Sequence, residues 1–117
     1  LECSLTHEVS MFDGTLDFMK FNDIRAMAWS PLGVYFKENT IQQQRIKKVI
    51  IPLCNKYNCS KDQILLAWLI HHPSKIFPVV GTTSGTRMKK AMEATEIKLD
   101  IPDWFLLLEA SMGKALP

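Results

Sequence analysis

Several things are scarce in this chain of 117 residues. Cysteine is limited to Cys3, Cys54 and Cys59, an odd number, and no CxxC pair occurs. That excludes a disulfide framework and points to three free thiols in a reducing compartment, hence a cytoplasmic location. Charge of one sign is not in excess: the net charge is +2, too small for a nucleic-acid or membrane-surface partner. The longest apolar run, Ile64 to Ile70, is far short of a membrane span. The first ten residues lack the basic start and apolar core of a signal peptide. Neither GxxxxGK[ST] nor GxGxxG is present, so the common phosphate-loop fingerprints are missing. Repeats and low-complexity segments are absent as well.

What is present is an ordinary globular composition, 47% hydrophobic and 22% charged. The length fits one segment, 1–117, with no second domain. Residues 1–4 read as the end of a strand, and a chain that opens on strand residues reads as a piece of something longer. MFDGTL reads as a loop, and Thr15 to Phe21 as a short helix. Ile24 to Ser30 reads as a strand ended by Pro31, followed by a loop over 33–38. Asn39 or Thr40 can cap a helix that runs to about Tyr57. Pro52 falls inside that helix, where it should kink or split it. Ser60 and Gln63 form a capping-box pattern before an all-round apolar helix, 64–71, that must be buried on more than one face. Ile76 to Gly81 reads as a strand with both faces covered. Ser84 caps a helix to about Thr95, and Asp100 with Pro102 starts a last helix that ends near Gly113. Alternating strands and helices predict an α/β fold with a parallel sheet. Three parallel strands alone leave both sheet edges open, which invites self-association or a completing partner.

Function in such folds gathers at the C-terminal ends of strands. Two ends stand out. At Trp29-Ser30-Pro31-Leu32-Gly33, an aromatic can stack on a flat ring. The Ser30 hydroxyl and nearby amides can meet a phosphate, and Pro31 with Gly33 shapes a turn of close backbone approach. A strand-ending turn beside a core tryptophan would read the same way. At Gly81-Thr82-Thr83-Ser84, hydroxyls and amides enter a helix N-terminus, where anions are favoured, and Arg87 lies in the first turn. A capped helix with a surface arginine is the plainer reading. His71-His72 lacks a third ligand at suitable spacing, so no metal site is expected. Met27, Met88 and Met92 read as core filler.

MAWSPLG followed some 50 residues later by PVVGTTSGTRMKKAMEA resembles the C-terminal part of an aldo-keto reductase. LEC is similar to that family's sixth barrel strand, LLAWLIHHPS to the helix before its last strand, and DWFLLLEASMG to the final helix of one bacterial-type branch. The resemblance covers essentially the whole chain. It implies the C-terminal part of a (β/α)8 TIM barrel that binds NADPH (NADP) in extended form and reduces a small-molecule carbonyl, an aldehyde or ketone. It places Trp29 against the nicotinamide, and Ser30, Pro31 and Leu32 at the pyrophosphate. Thr82, Thr83 and Arg87 fall at the adenosine 2′-phosphate, with Arg87 favouring NADP over NAD, and Gly33, Gly81 and Ser84 count with them as cofactor-binding residues. A frequent family lysine falls at Gly81, and a frequent asparagine at Ala91. The family's Asp, Tyr, Lys and His catalytic set belongs to the first half of the barrel and has no match here. The resemblance therefore implies a cofactor cradle without a catalytic residue, inactive in isolation. The alternative is a non-catalytic half-barrel that binds nucleotide weakly or packs with a partner.

Overall fold

A computed structural model describes residues 1–81 and 84–115 of the chain. In chain order the elements are α1 (Val9–Phe12), α2 (Thr15–Phe21), β1 (Met27–Ala28), α3 (Ile41–Tyr57), α4 (Lys61–Ile70), β2 (Phe77–Pro78), α5 (Gly85–Glu93), a 3₁₀ turn (Ala94–Glu96) and α6 (Ile101–Met112).

The helices begin and end where local chemistry dictates. Thr40 caps α3 by accepting the Gln43 amide at 3.0 Å. At α4 the Gln63 side chain accepts the Ser60 amide at 3.0 Å, which is the glutamine half of the capping box. Asp100 precedes α6, and Gly113, at φ +76°, ends it. Two expectations are corrected. The first residues of the predicted MFDGTL loop fold instead as the end of α1, a single turn before Asp13-Gly14. Pro52 lies inside α3 without splitting it. Pro52 and Lys48 are both exposed, so the carbonyl that Pro52 cannot serve lies on the solvent side of the helix.

The sheet is smaller than the apolar runs suggest. β1 and β2 pair in parallel, Met27 with Phe77 and Ala28 with Pro78. The first predicted strand is reduced to one parallel bridge, Glu2 to Trp29, on the other side of β1. Pro78 is accommodated because the amides on either side of it bond to β1: Phe77 to the Ala26 carbonyl at 2.9 Å and Val79 to that of Ala28 at 2.8 Å. The amide that proline lacks would have pointed to the open edge. Burial alternates strictly. Ala26, Ala28 and Ile76 are buried, while Met27, Trp29, Phe77 and Val79 are exposed. The expectation of two covered faces therefore fails: helices cover one face, and the other is open.

The core centres on α4, buried from Gln63 through Leu69. Trp68 of α4 and Trp104 of α6 stack nearly flat, centroids 4.9 Å apart and planes 8° from parallel. Each indole N–H donates to the other's backbone carbonyl, at 3.1 and 2.7 Å, so neither polar atom is stranded by burial. α3 packs along α6. Arg45 donates to the carbonyls of Ala110 (2.8 Å) and Ser111 (3.1 Å), serving groups that the end of α6 leaves unpaired.

Candidate functional site

The turn after β1 is shaped by residues far from it in sequence. Ser30 adopts φ +50° and Gly33 φ +57°, both left-handed, and the Gly33 amide closes the turn on the Ser30 carbonyl at 2.9 Å. Gly33 has no alternative. A Cβ there would lie 2.0 Å from Thr6 Oγ1 and 2.5 Å from Ser4 Oγ, and the next amide, Val34, donates to that same Thr6 hydroxyl at 3.1 Å. The loop is therefore pinned to the segment that follows the Glu2 bridge. Ser30 holds its strained conformation with a non-glycine side chain, which costs on the order of 1–3 kcal/mol and is typical of ligand-contacting turns.

At the second strand end, Ser84 caps α5: its Oγ accepts the Arg87 amide at 3.4 Å. Arg87 is exposed, and Gly81 has open space where a Cβ would sit. Thr82 and Thr83, assigned above to the same loop, lie outside the described residues.

The two loops meet. Ser30, Pro31, Leu32 and Gly33 line one wall of a cleft of about 630 Å³, and Gly81 and Arg87 line another. Lys37, Asp62 and Lys90 complete its polar rim, with Ala91 beside them. Three cations against one carboxylate make the cleft receptive to an anion, and the Lys90 ammonium stands 3.7 Å from Asp62. Trp29 is adjacent to the cleft through Ser30 but does not line it, and 52% of its surface is exposed. Within this chain the indole is exposed on the open face of the sheet. Lys90 was missed at the sequence level, although it follows Arg87 by three and shares its helix face, a signal that could have found it. Lys37 and Asp62 carried no such signal, because their place depends on how α4 docks. Gln63 sets that docking: its amide donates to the Lys90 carbonyl at 2.9 Å while its oxygen serves the α4 cap.

Two other clusters need an account. Lys56, Tyr57 and Asp103 are of the residue types the resemblance assigns to catalysis, and they do touch: Tyr57 Oη donates to Asp103 at 2.6 Å and Lys56 Nζ at 2.7 Å. They join α3 to α6 and share no residue with the cleft. Burial raises the Tyr57 pKa, and the hydrogen bond to Asp103 raises that of Lys56, so neither proton is released readily near neutrality. The cluster is a structural clasp. A second hollow, about 550 Å³, lies among Met11, Phe12, His72 and Trp104. It is almost wholly apolar and shares no residue with the cleft. Burial lowers the His72 pKa, so that ring is neutral at pH 7. Among the described residues no three His, Cys, Asp or Glu side chains converge on a metal position.

A one-sided parallel sheet with helices on its outer face, and polar loops at the strand ends, is the arrangement of part of an α/β barrel. Residues 5–110 match the family described as "Aldo/keto reductase family", and the chain belongs to it. It is 35% identical over its whole length to the uncharacterized oxidoreductase YcsN of Bacillus subtilis, of which it covers 40%. It is 30% identical to the oxidoreductase YdhF of Escherichia coli, again over the whole chain and 40% of that protein. To 6-dehydroglucose reductase of Agrobacterium fabrum it is 30% identical, over 97% of the chain and 38% of the relative. Among solved structures, the thermostable aldo-keto reductase Tm1743, determined with the inhibitor epalrestat, superposes with a TM-score of 0.75 at 24% identity, over 93% of this chain and 38% of that one. Aldose reductase from Giardia lamblia gives 0.72 at 19%, over 99% and 37%. The chain therefore spans about two-fifths of the length of these relatives, and its fold is that of a partial barrel.

Proposed function

We propose that this chain is the cofactor-holding part of an NADP(H)-dependent aldo-keto reductase acting on aldehydes or ketones. The observation that carries the reading is the cleft: two loops some 50 residues apart in sequence face each other across it, with Arg87, Lys90 and Lys37 on its rim. Its chemistry fits a dinucleotide. The tight, strained turn at Ser30–Gly33 offers backbone amides to a pyrophosphate. Arg87 offers a planar, permanently charged fork to a further phosphate. The open position at Gly81 lets a ligand approach the backbone, and the exposed Trp29 ring is available to a flat nicotinamide. When bound, the cofactor supplies the hydride; the residues of this chain bind and orient it.

Among the described residues no tyrosine or histidine lines the cleft. The proton that must reach the carbonyl oxygen is assigned to residues outside this chain, and the 117-residue chain by itself is expected to lack reductase activity. A rate of NADPH oxidation with a reactive aldehyde clearly above the blank would overturn that. Fluorescence titration tests the cofactor reading. NADPH should bind, and Arg87→Ala should weaken it about 10- to 100-fold, the cost of a charge-assisted hydrogen bond, while NADH binding changes little. Equal weakening of both, or no binding by the parent chain, would sink it.

The open sheet face favours a second reading, in which the chain binds nucleotide weakly and packs against a partner or a second copy without catalysing anything. Met27, Trp29, Phe77 and Val79 are all exposed on that face. Elution as a concentration-independent monomer would argue against self-association.

A further inference from the structure

Cys54 and Cys59 are separated by four residues, but the end of α3 folds them back on each other. Asn58 takes the left-handed conformation, φ +52°, and its amide donates to the Cys54 carbonyl. The amide of Cys59 donates to that same carbonyl at 3.0 Å. This is the helix-ending motif in which the third residue from the end meets the second residue beyond it, normally through an apolar side-chain contact. Here both positions are cysteine. The two side chains are half-buried, pack against the core, and line one hollow of about 450 Å³ together with Phe36 and Lys61. A disulfide needs Cα atoms within about 7 Å, and a hydrogen-bonded backbone ring of this size draws them in. The third thiol, Cys3, is fully buried and does not line this hollow.

We propose that Cys54 and Cys59 are a reversible oxidation site that closes to an intramolecular disulfide across the C-terminal turn of α3. The oxidant class is a small-molecule disulfide such as glutathione disulfide. One thiol loses its proton and attacks a sulfur of the oxidant, breaking the S–S bond and releasing one glutathione thiol. The second thiol, on losing its proton, attacks the protein-bound sulfur and releases the other. The protein dithiol is oxidised by two electrons, and one glutathione disulfide is reduced to two thiols. Burial raises the pKa of both thiols, that of Cys59 to about 11, so the exchange is slow near neutrality and quickens as pH rises toward that value. Phe36 and Asp62 line both this hollow and the cleft described above, so the turn sits directly behind the cleft wall.

The test is oxidation of the whole chain with glutathione disulfide, followed by alkylation and tryptic mass spectrometry. Lys56 lies between the two cysteines, so trypsin leaves their peptides joined only through the disulfide. The expected product is that joined pair, reversed by dithiothreitol, with Cys3 unmodified until the chain is denatured. Cys54→Ser should instead accumulate a glutathione adduct on Cys59. An adduct on Cys59 of the parent chain, with no joined pair, would overturn the proposal. So would oxidation of all three cysteines at one rate, which is the behaviour of an unfolded chain.

Discussion

Gly33 and Gly81 look equivalent in sequence, each ending a strand beside the cleft, but they bear very different constraints. At Gly33 the backbone is left-handed, and Thr6 Oγ1 occupies the place of a Cβ. Gly33→Ala should therefore destabilise the chain by more than about 1 kcal/mol, from backbone conformation alone, with the clash adding to it. At Gly81 no atom lies within 4 Å of an added Cβ, and no positive φ is required. Gly81→Ala should stay within about 0.5 kcal/mol of the parent. Urea unfolding of the two variants side by side checks both values. Equal losses would mean that the loop is not pinned to Thr6.

At the scale of elements, the clasp between α3 and α6 and the stacked tryptophans carry the testable energetics. The Asp103 carboxyl accepts from Lys56 and Tyr57, and these bonds hold its pKa below the ordinary carboxylate value. A depressed carboxylate stabilises the fold above the pKa of the unfolded chain, about 3.9, and that contribution is lost as pH falls through the lower folded value. Asp103→Ala should cost about 1–3 kcal/mol at pH 7. Its stability should also decline less steeply than that of the parent as pH falls below about 4, as read by urea titrations at several pH values. Trp68→Ala removes the fully buried half of the stack and should cost about 3–5 kcal/mol. Pro52→Ala should work the other way. The position is exposed and helical, so restoring an amide to α3 should raise the unfolding midpoint, with a gain of about 1 kcal/mol or more.

For the whole molecule, the telling feature is a sheet with a single covered face. Ala26, Ala28 and Ile76 go under the helices, and the alternate residues meet no layer. In a closed barrel those alternate residues fill the interior. The chain spans about two-fifths of the length of its relatives, and within it those residues are exposed. At this scale one expected outcome is a radius in solution that grows with concentration, as the open face and edges find each other. Chromatography at several loadings measures it.

Helix limits were legible because their causes are local. Caps and end-turns act within a few residues, which is why Thr15–Phe21 and the Gly113 stop read directly from the chain, and why the α3 cap narrowed to Asn39 or Thr40, of which the structure uses Thr40. The two strand-end motifs and the family were legible for a related reason: short runs of unusual residues at a fixed spacing carry them. Strand extent was not. A ladder needs a partner from a distant part of the chain, and runs that read as strands of up to seven residues keep two each where partners are few. The single-turn α1 and the tolerance of Pro52 also depended on surroundings. Tertiary packing alone decided that Ser30–Gly33 and Arg87 share one cleft, that Lys37, Asp62 and Lys90 join them, and that two tryptophans satisfy each other's indoles. Each of these is a meeting of residues far apart in sequence, which no local pattern records.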